Sequence, residues 1–495
     1  MKKIIYISFL TLVLGVSSCS DYLEKEPSYT LNDQNAINDL EKAKNALGGV
    51  YQSFATNTWS GQYYVDLALK SGFIRWEDSE LYDLDYSPVT SNGDTQGFAF
   101  WNNFYISVNN ANFAITGATN LPEAVVNDEA QHKSVIAEGR CLRAWINANI
   151  LWNFGHWWSL DDANPYGIMY RDEVVNLDNV QQARLNIGDS YAKIFEDLDY
   201  AIENLNNYDS PRYVSKEFAK VIKAKLILYR SGYNDSTEDL DEALNLINEV
   251  LNTSSNFKMQ EDLAKVYQDS WDSNENLFAL YLDDNGARTR NSSTYSGFVS
   301  LNGDRLPVAP EQTTAGLEFG LDWFKADPRW DIVTGPVRDG NRYNNTYYHT
   351  WSKVARFGGY EGLQQSPPDE KYTAYYFRYP ELYIMKAELL ARTGASVMDA
   401  IAPINEMRSL RTNPVLSELS PSTQEELMDM IFQEYFLETF LENGSEFFAS
   451  LRFKKNGKPW IETIKNGKTL EENKICYPIP SQELIANLLM KQNPE

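Results

Sequence analysis

The sequence predicts a mainly α chain: a scaffold of helical hairpins with a loop-rich portion holding few short strands. Three observations carry this. Apolar residues recur at helical spacing through a series of segments, as in Leu40, Ala43, Ala46, Leu47, Val50 and Phe54. Two distant segments share one plan. Leu226 to Gly232, then Ala243 to Asn248, is echoed by Leu389 to Gly394, then Ala400 to Asn405. Two other stretches, 57–100 and 283–376, lose the periodicity and fill with Gly, Pro, Asn, Tyr and Trp.

The chain opens on Met1-Lys2-Lys3, an apolar run from Ile4 to Val16, and Ser17-Ser18 before Cys19. Basic, apolar, then small is the order of a secretory signal peptide. The apolar run, about 13 residues, is short for a bilayer span. An aliphatic residue, two small residues and Cys also form the lipobox of bacterial lipoproteins. Residues 1–18 then form the signal peptide, and Cys19 is the lipidated first residue of a tether over 19–38. The alternative is an ordinary signal peptide with a chance cysteine.

Residues 39–282 read as helical scaffold. A helix is predicted over 39–54. The stretch 57–100, with Trp59, Tyr63, Tyr64, Trp76, Tyr82 and Tyr86 among polar residues, reads as an aromatic loop region. Helices resume at Trp101 to Ile115 and at Glu129 to Phe154, the latter stopped by Gly155 as C-cap. A helix over Ile187 to Leu205 gathers Asp189, Glu196, Asp197 and Asp199 mostly on one face. The hairpins fall at 213–252 and 378–411. In each, a helix ends in Gly and a second follows with Ala-x-x-x-Ile at its seam, the logic of tetratricopeptide (TPR) repeats; generic helical hairpins are the alternative. Residues 283–376 form the loop-rich portion, with Tyr295, Trp323, Trp330, Tyr343, Tyr347, Tyr348 and Trp351 between turn signals. The C-terminal part, 377–495, returns to helices, one starting with Ser422 as N-cap and Glu425 three residues on.

Charge and cysteine content exclude whole classes. A net charge of −25 repels nucleic acid and anionic headgroups and suits a neutral ligand. Cys19, Cys141 and Cys476 are the three cysteines. With Cys19 acylated, the other two could form at most one disulfide, but their apolar surroundings favour two buried thiols. His132, His156 and His349 lie far apart in sequence, so neither a His-based metal site nor a triad is expected, and no cofactor is implied. The aromatic count, 31 Tyr, 23 Phe and 12 Trp, points to ring surfaces as well as core.

Ordered motifs spread over the chain add a resemblance. They begin with Cys19 and Asp21-Tyr22-Leu23. Trp101 and Tyr105 follow with Asn109 and Asn112, then Ala137-Glu138, Arg143-Ala144 and Phe154-Gly155. Asn274, Leu277 and Phe278 come after Trp271, with Glu275 as the acid. Next are Asp327-Pro328-Arg329, Arg378-Tyr379-Pro380-Glu381 and Lys386-Ala387-Glu388. The tail carries Glu434, Glu438 and Glu442-Asn443-Gly444, Phe448 to Arg452, Tyr477-Pro478-Ile479-Pro480 and Gln492-Asn493-Pro494. Together they resemble the SusD/RagB family of outer-membrane nutrient-binding lipoproteins. The departures are Gln433-Glu434 for a Glu-Arg pair, Ser445-Glu446 where an Arg is usual, and Arg452-Phe453 for Arg-Trp.

The resemblance implies a TPR-like scaffold carrying ligand-binding loops, lipid-anchored (palmitate) on the cell surface of a Gram-negative outer membrane. Its partner would be a SusC-like TonB-dependent transporter, and its ligand an oligosaccharide or, in some members, a peptide. No catalysis is implied. A surface glycoside hydrolase would need two converging carboxylates; nothing singles out a pair among 69 acids. A TPR protein–protein scaffold without small ligand has little use for the aromatic loops. Sugar rings offer an apolar C–H face to an indole or phenol and a hydroxyl rim to polar groups. On that chemistry Trp59, Trp76, Tyr82, Tyr295 and Trp323 are the expected platform, with Arg75 and Asp78 as hydrogen-bonding partners. Trp101, at apolar helical spacing, is read as core, and Glu388 and Arg408 as structural.

Overall fold

A computed structural model describes residues 36–56, 58–71, 95–253, 256–269, 272–282, 322–333, 335–338, 347–350, 372–465, 467 and 469–494. The first helix, α1 (Leu40–Ser53), starts where Asp39 accepts the Lys42 N–H at 2.8 Å and buries Ala43, Leu47 and Val50, the predicted face. A π-turn at Thr58–Gln62 then leads into α2 (Tyr63–Ser71). This corrects the loop reading of 57–71. Tyr63, Tyr64, Leu67 and Ala68 share one buried helical face, and burying those rings outweighs the polar residues between them.

Next come α3 (Thr95–Thr119), which starts six residues before the expected Trp101, and α4 (Glu129–Phe154). Helix α5 (Ile187–Asn204) packs on α4. Its Asp197 is not part of a polar face. It is buried, bidentate with Arg143 at 2.8 Å on both oxygens, and also takes the Arg140 Nε–H at 2.6 Å.

The two hairpins form as expected: α6 (Lys216–Tyr233) with α7 (Leu240–Leu251), and, after α8 (Leu263–Asp269), α11 (Pro380–Arg392) with α12 (Val397–Ser409). Ala243 and Ala400 are fully buried at the two seams. The glycines differ, however. Gly394 has φ +87° and ends its helix in left-handed backbone. Gly232 stays inside α6, where a Cβ would come within 3.2 Å of Arg392 and Arg452.

Between the hairpins lie β1 (Asn276–Leu282), the helical turns α9 (Asp322–Lys325) and α10 (Trp330–Val333), and the strands β2 (Gly335–Arg338), β3 (Tyr347–Thr350) and β4 (Tyr372–Arg378). Strands β1 and β4 pair antiparallel, as do β2 and β3, so the described part of the loop-rich portion holds the few short strands expected. Helices α13 (Gln424–Thr439) and α14 (Ser445–Arg452) close the scaffold. Thr423, not Ser422, is the N-cap of α13: its hydroxyl accepts from Glu426 N, while the Glu426 carboxylate reaches back to Ser422 N. The box is the one predicted, shifted by one residue. Cys141 and Cys476 are both buried free thiols. Among the described residues no helix is long and apolar enough to cross a membrane, and no cluster of three metal-ligating side chains occurs.

Candidate functional site

The two stretches marked by their aromatic residues lie more than 180 positions apart in sequence, yet segments 58–71 and 322–333 within them are both anchored on one floor, the α13–turn–α14 unit. The floor follows from the tail motif. Glu434 and Glu438 lie one helical turn apart on the buried side of α13, and Glu442 follows in the turn after the helix, also buried. At the turn, Gly444 has φ +75°, and a Cβ there would lie 2.4 Å from Leu67 of α2. Both the backbone and the close approach therefore demand glycine.

The first stretch meets the floor at Gly444, where Leu67 and Tyr64 pack, and its other rings pack on the helices around it. Trp59 is 0 % exposed and packs on Phe54, Phe104 and Trp145 with centroids 4.7–5.1 Å apart. Trp59 is therefore core, a correction to its expected place on the ligand platform. Polar-rich sequence around it disguised a ring that the π-turn directs inward. Tyr376 of β4 donates to the Trp59 carbonyl at 2.9 Å.

At the end of α2 lies a cluster the sequence did not reveal. The Lys70 ammonium donates to the Ile475 carbonyl and sits 4.5 Å from the Tyr477 ring. Tyr477 in turn donates to Asp66 at 2.6 Å. Burial raises the Asp66 carboxyl to about 6, against the lowering effect of Tyr477 and Lys70. Burial likewise lowers Lys70 to about 8. The available signal was the Asp66/Lys70 spacing of four, which on its own reads as a surface pair.

The second stretch reaches the floor through charge. Arg329 is fully buried. Its guanidinium meets Glu434 on both oxygens at 3.0 Å, Glu438 at 2.8 Å and Asp327 on both oxygens at 2.8 Å. Arg378 of β4 binds Glu442 at 2.8 and 2.9 Å and Glu275 at 2.8 Å. Arg411 joins Glu275 to Glu438, and Arg408 bonds Glu434 and the Ser417 carbonyl. Burial would raise Glu438, but Arg411, Arg329 and Arg378 outweigh it and hold its carboxyl well below the usual range. Buried charges persist only when paired this completely. The motif residues Asp327, Arg329, Arg378, Glu434, Glu438 and Glu442 thus form one ion network. Glu388, bound by Arg452 at 2.8 Å on both oxygens, and Arg408 are structural as expected. At Ser445, where the resemblance would place an arginine, Lys225 of α6 supplies the cation. It lies 2.8 Å from both Ser445 Oγ and Glu381.

Of the expected platform, Trp323 stands half-buried on this charged anchor, edge-on to Phe436 at 5.6 Å and beside Phe324. Trp101 is core, as read. Arg75, Trp76, Asp78, Tyr82 and Tyr295 lie outside the described residues, as does Cys19.

Helical hairpins and a buried arginine–carboxylate network, with the described parts of two aromatic stretches seated on one floor, define a helical scaffold. Comparison with known proteins agrees. Residues 328–495 match the family model described as the SusD family. A SusD-like protein of Formosa agariphila is 22 % identical over 100 % of this chain and 99 % of its own length. A SusD-like protein of Bacteroides ovatus is 29 % identical over 60 % of this chain; the match spans 56 % of that relative. Among solved structures, a SusD superfamily protein from Bacteroides thetaiotaomicron has TM-score 0.69 at 18 % identity, covering 92 % of this chain and 100 % of the other. A laminarin-binding SusD-like protein has TM-score 0.65 at 20 % identity, covering 92 % and 99 %. The resemblance to the SusD/RagB family read from the sequence is borne out, with the family's own signature in the C-terminal third.

Proposed function

We propose that this protein is a cell-surface lipoprotein, anchored in the outer membrane through Cys19, that binds oligosaccharides and passes them to a SusC-like TonB-dependent transporter. The observation that carries the reading is the convergence of segments 58–71 and 322–333 on one floor. Segment 58–71 runs into residues 72–94, which hold Arg75, Trp76, Asp78 and Tyr82. Segment 322–333 follows 283–321, which hold Tyr295. Two segments distant in sequence thereby share one support, which is what a composite binding surface requires. The laminarin-binding relative of the same fold supports a glycan as the ligand class. The binding residues in this reading are Arg75, Trp76, Asp78, Tyr82, Tyr295 and Trp323; Trp59 is withdrawn as core.

The test is a glycan-array screen followed by calorimetric titration with the best oligosaccharide. Trp76→Ala and Trp323→Ala should each weaken binding by about 1–3 kcal/mol, the scale of an aromatic anchor, with no new reducing ends released. Wild-type affinity in both folded variants would move the platform elsewhere, and retention only of peptides would replace the ligand class. For the anchor, Cys19→Ala should leave carbonate-washed membranes.

A further inference from the structure

A recess of about 460 Å³ lies between α12 and the chain that follows it, lined from both sides. Its second wall is pinned to the helix. The Asn405 amide donates to the Leu419 carbonyl at 2.9 Å and accepts the Leu419 N–H at 2.8 Å, and Arg408 donates to the Ser417 carbonyl at 2.6 Å. The recess is therefore held open by the fold itself. Its apolar lining comes from Ile401 and Leu416, both buried, and from Met398, which is exposed and unbranched and so can adapt to a ligand.

The polar groups of the lining are left with open valences. Arg408 is 5 % exposed. Its Nη1 bonds Glu434 and its Nε the Ser417 carbonyl, whereas Nη2 has no hydrogen-bond partner among the described residues. A guanidinium nitrogen in that state asks for an acceptor oxygen. The charge of Arg408 is already matched by Glu434, with Asp327 at 4.0 Å. Glu406 and Glu418 line the same recess and are exposed. Among the described residues neither has an ion-pair partner; Glu406 takes only the Tyr383 hydroxyl, at 3.3 Å. Arg408 is the one basic residue of the lining, so the two carboxylates ask for a cation from outside. The net charge of −25 reinforces that sign. An ammonium, a neighbouring acceptor oxygen and an aliphatic body are thus called for together. An α-amino acid carries all three on one carbon.

We infer that the α12 recess binds an aliphatic α-amino acid, free or as the first residue of a peptide. Its ammonium meets Glu406 and Glu418, its carbonyl or carboxylate oxygen meets Arg408 Nη2, and its side chain lies over Ile401 and Leu416. This site is separate from the glycan surface and does not depend on it. The test is saturation-transfer NMR on the full chain with leucine, leucinamide and N-acetylleucine, followed by titration. Leucine or leucinamide should bind, and N-acetylleucine, which lacks the ammonium, should bind about tenfold more weakly, the scale of two exposed charge pairs. Tighter binding of leucine assigns the site to the free amino acid, and tighter binding of leucinamide to a peptide end. Glu406→Gln/Glu418→Gln should weaken the better probe by about the same factor at an unchanged melting temperature. Ala402→Trp, an exposed lining residue, should fill the recess and abolish binding. No binding of leucine or leucinamide at millimolar concentration, or equal binding of N-acetylleucine, would overturn the inference. So would wild-type binding by both folded variants, which would place the probes elsewhere on the molecule.

Discussion

Segments 58–71 and 322–333 are held in place by opposite physics. The first is held by rings: Trp59, Tyr63 and Tyr64 are buried, and only Asp66 and Lys70 bring charge. The second is held by charge: Arg329 alone contacts three carboxylates, and the rings of Trp323, Phe324 and Phe436 surround rather than replace it. Apolar anchoring is non-directional and tolerates small shifts, whereas a bidentate guanidinium fixes both angle and distance. The charged anchor thus sets the orientation of segment 322–333, and the apolar anchor mainly sets the depth of segment 58–71.

The largest test of this contrast is to break each anchor with its own kind of substitution. Arg329→Met should lose about 3–5 kcal/mol, because it leaves Glu434, Glu438 and Asp327 buried without their shared cation. Arg329→Lys should recover little, since an ammonium cannot span three carboxylates. Trp59→Ala should cost a similar amount through the cavity it leaves, but Trp59→Phe should recover most of it. Urea unfolding of the four variants measures both. Rescue by Lys as good as rescue by Phe would erase the distinction.

The anchors should also respond to pH with opposite sign. Asp66 is raised from an ordinary 3.8 to about 6, so between those values the folded chain keeps a proton that the unfolded chain has lost. Its contribution is full at the acid end and falls as pH rises toward 6, by about 2–3 kcal/mol. Asp66→Asn should flatten that limb of the stability curve. Glu438 is held below its ordinary 4.5, so its contribution is full above that value and is lost as pH falls below it. Glu438→Gln should lower stability at pH 7 and flatten the acid limb. Chemical denaturation from pH 3.5 to 7 separates the two; equal slopes in both variants would contradict the assignment.

The smallest effects concern the turns. Gly394→Ala meets open space and bears only the left-handed backbone, about 1 kcal/mol. Gly444→Ala adds the clash with Leu67 and should cost about twice as much. Equal melting-temperature shifts would mean that α2 is not seated firmly on the floor.

Much of the scaffold was legible in the sequence because helical periodicity, caps and small seam residues are local signals. The helices at 40–53 and 129–154 and both hairpins formed within a few residues of their expected bounds. The glutamate ladder was visible as spacing, and its neighbours as motifs. Sequence could not say which arginine each glutamate meets, because Arg329 and Glu434 are joined only through the packing of α13 on the loop-rich portion. Nor could it separate a buried ring from an exposed one. Trp59 and Trp323 sit in equally polar sequence, yet one is sealed by Phe54, Phe104 and Trp145 while the other stays half-open on Phe436. Period and composition determined the helices and their pairing. Burial, and with it the division of rings and charges between core and surface, depends on contacts between residues far apart in sequence, and only the tertiary structure decides it.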